Sequence, residues 1–294
     1  MIDGYNDWCL YILQKYTDAL ERLNIYGAIL SFLGVYHIDF QLLQSFLECW
    51  DKDRNVFATK WGDLSISLLD IERIGGLPIQ GQVYDEYVPT NEELEDPEVK
   101  HGQPLKSLLN CYQYLRSISL VDNVSFEMWM NFFFHGQHHK LKSKGKHKSK
   151  SFDSIQNFGK NTPLAAFLTL WLCKFVVSYD LTYIRPDVFV VAARMVDSRK
   201  PYSLVVPALC TLYREINYWV TDHLAVSCNW PVHYLVGWIS QYFPNLYDRL
   251  PEDDIERQFL SSNHRSDTPL MLQISGVETS GSPYSAKEAR NFFT

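Results

Sequence analysis

No two of the six cysteines, Cys9, Cys49, Cys111, Cys173, Cys210 and Cys228, stand at the spacing of a zinc site. Most fall inside apolar helical patterns, as buried free thiols do, which points to a reducing, intracellular setting. The opening "MIDGYNDWCLY" lacks a basic start followed by an apolar run, so an export signal is not expected. The longest apolar stretch, "LAAFLTLWLCKFVV", is too short for a bilayer and carries Lys174; a buried helix is expected and no membrane contact. A phosphate-binding loop is absent. The nearest candidate, "FGKNTP" at Phe158–Pro163, has Ser154 at the first glycine position and Asn161 after the lysine. There is no G-x-S-x-G, no Cys–His constellation with supporting context, no tandem repeat and no long linker.

What the chain does have is apolar and aromatic. Hydrophobic residues make up 46% and aromatics 15% of its 294 residues, enough for a large core. The net charge of −7 excludes a generally basic nucleic-acid binder, but it hides an asymmetry. Lys140, Lys142, Lys144, Lys146, Lys148 and Lys150 alternate along "KLKSKGKHKSK". Upstream, seven acids crowd Asp85 to Glu98 before the first base, Lys100.

Helical spacing links Tyr5, Trp8, Cys9, Ile12, Tyr16, Leu20 and Leu23, and again Leu43, Phe46, Leu47 and Trp50 behind a possible Asp39 cap. Further helices are expected at Leu105–Leu115, behind Ser125, from Thr162-Pro163 through Val177, and after Pro207 and Pro231. The helix from Leu164 to Val177 is apolar on nearly every side and should be central. Ser285 and Glu288 form a capping-box signature for a last short helix. The fold class expected is mainly α: a single compact multi-helix domain, residues 1–294, with a small β-hairpin. Its core should span about 5–260. Residues 138–160 should form a flexible basic loop, and 261–294 a loose C-terminal segment.

"WGDLSISLLDIERIGGLPIQG" invites reading as a ligand loop, but each glycine has a backbone task. Gly62 suits a hairpin turn between Phe57/Thr59 and Leu64/Ile66. Ser67 and Asp70 match a helix N-cap, Gly75 or Gly76 a left-handed stop, and Pro78 blocks continuation. A phosphate loop needs its glycines before the helix, and here the pair follows it.

The remaining candidates each have a bland alternative. His135, His138 and His139 have a metal-like spacing, but they lead into the lysine run, whose charge opposes a cation. Lys174 could form a Schiff base; the alternative is a lysine snorkelling to the surface. No phosphate cup for pyridoxal phosphate is visible, and no cofactor is expected. The lysine run offers salt-sensitive contact with DNA or RNA, with Arg185, Arg199 and Lys200 as further basic contacts; part of it also fits a nuclear import signal. The alternative is a solvated loop.

The segment "FLECWDKDRNVFATKWGDLSISLLDIERIGGLPIQGQVYDEYVP" closely resembles the signature block of the plant mobile domain, in its retrotransposon-associated subtype. The resemblance continues in order through "LAAFLTLWLCKFVV", "IRPDVFVVAARM", "YSLVVPALCTLYREIN", "PVHYLVGWISQYFPNLY" and "YSAKEARNFF". It implies a nuclear plant protein of transposable-element origin, linked to transposon silencing, gene-expression control, genome stability and meristem growth. It also implies protein partners, among them a serine/threonine phosphatase of the protein phosphatase 7 type. The family carries the label "aminotransferase-like", but the residues supply none of that chemistry. A non-enzymatic interaction module is therefore expected.

Overall fold

The computed structural model describes residues 4–90, 102–135, 159–178, 182–221, 231–251, 254–255, 268–277 and 284–294. They are mainly helical with one small antiparallel sheet, as the periodicity anticipates. The chain forms two compact units that interleave in sequence: Met1–Leu23 with Gln80–Tyr202, and Asn24–Ile79 with Ser203–Thr294.

The first unit holds α1 (Tyr5–Lys15) and α2 (Thr17–Arg22). After Gln80 the remaining helices are numbered in chain order below, beginning with α6 (Gln103–Ile118), α7 (Phe126–Phe133), α8 (Thr162–Trp171) and α9 (Phe189–Ser198). The expected central helix is α8: every residue from Leu164 to Trp171 is buried, and α1, α6, α7 and α9 pack around it. Phe167 receives Tyr5 and, edge-on at 5.3 Å, Trp8. Trp129 stacks on Phe189 at 5.6 Å while its Nε1 donates to Ala166 O at 3.0 Å, so this buried indole keeps its polar atom satisfied. Asn161 is the N-cap residue of α8. At its far end α8 runs into a π-helical segment, Leu172–Val176, closed by Val177 N donating to Leu172 O at 2.9 Å.

The second unit holds α3 (Tyr26–Ser31), α4 (Phe40–Leu47), the sheet, α5 (Leu68–Gly75), α10 (Val205–Thr221), α11 (Val232–Tyr242) and α12 (Ala286–Phe293). The expected hairpin is β2 (Val56–Thr59) with β3 (Gly62–Leu64), in the register Phe57↔Leu64 and Thr59↔Gly62. The sequence pattern did not show β1 (Trp50–Asp51), which pairs antiparallel on the other side of β2. Phe46, Phe57, Trp238 and Phe293 form the aromatic heart of this unit, with Phe46 and Phe57 stacked at 4.1 Å. The expected core limit near residue 260 is too short. Met271 and Leu272, in a 3₁₀ turn packed on α11 and α5, are fully buried, and so is Phe293, because the apolar face of α12 closes on α4. Arg290 fastens that closure through two bonds to Glu48, at 2.7 and 2.8 Å, and holds the Glu48 carboxyl below its ordinary range.

Candidate interaction surfaces

The glycine-rich stretch builds a surface rather than a ligand loop. Thr59 pairs with Gly62, so the hairpin turn is Lys60-Trp61, and the positive φ of Gly62 (112°) lets it close. Lys60 N donates to Phe293 O at 2.9 Å, which docks the turn on the end of α12. Trp61 is left 51% exposed, with its ring 5.1 Å from Phe243 and 5.3 Å from Phe292. The Lys60 ammonium lies 4.8 Å from the Trp61 ring centre and donates to Asn291 O. Beside Phe243 in the chain, Tyr242 is equally exposed; it stacks on Trp238 at 4.3 Å and donates to Asp70 Oδ1 at 2.9 Å. Asp70 is itself fixed by its capping box with Ser67, and the exposed Leu69 precedes it. The result is an exposed aromatic patch on a rigid frame of hairpin, capped helix and docked C-terminal helix.

The first unit carries a different surface. Residues 82–90 follow as a strap without regular helix or strand, started by Gln82 N donating to Pro201 O at 2.8 Å. Tyr84 Oη donates to Glu86 Oε1 at 2.6 Å, and the other Glu86 oxygen accepts from Arg185. Arg185 also donates to Val177 O at 2.9 Å and leaves only 16% of its side chain exposed. Of the basic residues expected to meet nucleic acid, Arg185 has its guanidinium engaged inside the fold. Beneath this node burial pushes the Cys173 thiol up to about 12, so it stays a protonated, unreactive thiol near neutrality.

Further along the strap, Tyr87 meets Arg194, whose guanidinium lies 5.9 Å from the ring centre with Nη2 3.4 Å from Tyr87 Oη. Past the last turn of α9, Arg199 takes a left-handed conformation (φ 53°), and Arg199 and Lys200 are both exposed. Neither has an ion pair among the described residues. Lys174 is half-buried in the π-helical segment, 5.5 Å from the Phe175 ring centre and 6.0 Å from Phe126, and desolvation lowers its amine below the ordinary lysine value.

His135 follows α7, exposed, with its ring against Phe134 at 4.8 Å. His138, His139 and the whole run Lys140, Lys142, Lys144, Lys146, Lys148 and Lys150 lie outside the described residues. Sequence reasoning found the hairpin of Trp61 but missed the Trp61–Phe292 and Tyr87–Arg194 contacts, which join residues far apart in the chain.

A family model, the plant mobile domain, matches residues 24–293. No curated protein and no solved structure matches the chain.

Proposed function

The chain belongs to the plant mobile domain family, and on that premise we propose that it is a non-enzymatic nuclear interaction module of transposable-element origin. In this reading it serves transposon silencing, gene-expression control and genome stability by holding protein partners. The observation that carries it is the Trp61 patch. Exposed tryptophan and tyrosine on rigid supports are the side chains that dominate protein interfaces, since they bury much apolar area at little entropic cost. Trp61 and Tyr242 each leave half their surface in solvent, although this chain buries Trp8, Trp129, Trp171 and Trp238 almost completely. A serine/threonine phosphatase of the protein phosphatase 7 type is the first partner to test, on the resemblance described above.

The test pairs the intact chain with Trp61→Ala. Co-purification from plant nuclei, and direct binding of a purified phosphatase of that type, should return a reproducible partner that the variant loses at least tenfold. Trp61 is at an exposed turn, so the variant should keep its unfolding temperature. The absence of any reproducible partner, or one held equally by Trp61→Ala, would overturn the reading.

A further inference from the structure

We propose that Glu48 and Arg290 are positioning residues for the exposed aromatic patch: they hold α12 on α4, α12 supplies the floor on which Trp61 rests, and release of this helix and loss of the patch are one event. Its functional meaning rests on the reading of Trp61 given above. All of these residues belong to the second unit.

Three observations carry it. The first is what Trp61 rests on. α12 supplies Phe292, which lies 5.3 Å from Trp61 and 5.8 Å from Phe243 and closes a triangle of rings. α12 also accepts both bonds from Lys60: the backbone N–H donates to Phe293 O and the ammonium to Asn291 O, each at 2.9 Å. Without α12 the turn loses both bonds, and Trp61 keeps Phe243 but not Phe292. The hairpin below has its own support, since Thr59 pairs with Gly62 and its Oγ1 donates to Gly62 O at 2.9 Å.

The second is how little holds α12. Eight residues are too few for a helix to persist alone in water, and its capping box ties only its own first turn. Ala289 and Phe293 are its buried residues. One large buried ring offsets only part of the entropy lost in ordering eight residues, so the docked helix leans on its polar contacts.

The third is where those contacts come from. Arg290 gives Nε and Nη2 to the two oxygens of Glu48, a bidentate pair, and Gln44 donates to the same carboxylate at 3.3 Å. Glu48 ends α4, where a carboxylate meets the negative end of a helix and does nothing to stabilise it. Its contribution is to α12. Tyr284 N, just before α12, donates to Asp39 Oδ2 at 3.3 Å, so the residue that caps the start of α4 also ties the entry of α12. The Glu48–Arg290 pair is partly exposed, so weakening it should release the helix without unfolding the unit.

The experiment is fluorine NMR of the full chain labelled with fluorotryptophan, joined to amide hydrogen exchange. The Trp61 signal is identified by its absence in Trp61→Phe, and Phe292→Ala gives its position without the floor. Glu48→Arg sets two cations face to face. It should move the Trp61 signal toward the Phe292→Ala position. It should also lower the protection of the α12 amides and of Lys60 N–H, whose acceptor is Phe293 O, by one common factor of about fivefold or more. Arg290→Glu added to Glu48→Arg restores the pair and should return both readings to those of the intact chain. Glu48→Gln, the mildest change, should move both in the same direction by less, and carries the test if the reversed charge disrupts more than the helix. The signals of Trp129 and Trp171, in the first unit, should not move. A Trp61 signal that stays in place while α12 loses protection overturns the proposal, as does a reversed pair that fails to restore it while Glu48→Gln has no effect. No partner enters this measurement, so its failure and a failure of Trp61 to bind a partner are separate results.

Discussion

At the scale of single residues, the two most informative cations are those that sit inside. Arg185 and Glu86 are 99 positions apart, and nothing local in either segment announces the other. Sequence reasoning could see Arg185 only as a basic residue before a proline. The partner that removes it from the surface comes with the tertiary fold. Arg185→Ala would leave Glu86 half-buried and unpaired, and Val177 O without its donor. A loss of about 3 kcal/mol is expected in urea denaturation, whereas Glu86→Gln, which keeps an oxygen for Tyr84, should cost less. Lys174 was legible as the one lysine deep in an apolar run, but the π-helical turn that seats it was not. Its folded-state pKa is depressed relative to the unfolded chain. The desolvation penalty is thus full below the folded value and is relieved as pH rises through it toward the unfolded value of about 10.4. Lys174→Met should be more stable at neutral pH by on the order of 1 kcal/mol. That advantage should shrink as the pH is raised, when the two proteins are compared by thermal unfolding.

At the scale of elements, the local signals were the legible ones. Asp39, Ser67, Ser125 and Ser285 all cap helices through their side chains, and Ser67–Asp70 and Ser285–Glu288 close full capping boxes. Such caps are written within four residues, so a sequence displays them whole. The two-residue strand β1 was not displayed, because a strand that short has too few positions to show an alternation. The stop of α5 supports a paired prediction. Gly76 has φ 71°, and a Cβ there would meet Ala28 N at 2.9 Å and the Pro269 ring at 2.7 Å. Gly62 also has a positive φ, but a Cβ there would meet nothing within 4 Å. Gly62→Ala should therefore cost only backbone strain, about 1 kcal/mol, and Gly76→Ala at least twice that, since backbone must also move. Denaturant midpoints of the two variants, measured side by side, decide it; equal losses would mean that the crowding at Gly76 relaxes freely.

At the scale of the whole molecule, the order of the chain and the order of its cores differ. The family match begins at residue 24, yet the first unit draws on residues before it. Tyr5, Trp8, Cys9 and Ile12 of α1 are essentially without exposure, and Leu13, Leu20 and Leu23 are buried too. The apolar spacing of this segment was plain in the sequence. Its destination, Phe167 of α8 more than 150 residues away, was not, because periodicity names a buried face without naming what covers it. Each large apolar side chain buried here contributes about 1.5–3 kcal/mol. Even discounted for residual burial in the unfolded chain, the six large side chains among these positions rival the roughly 5–15 kcal/mol that hold a domain together. A chain begun at Asn24 should therefore lose cooperative unfolding of its first unit although it retains nearly the whole family match. In hydrogen exchange the amides of α8, now the central buried helix, should lose protection by about a thousandfold or more, the equivalent of about 4 kcal/mol. Undiminished protection of Thr162–Trp171 in the shortened chain would show that α8 keeps its order without α1, and that the burial of Tyr5 and Trp8 adds little to the unit they complete.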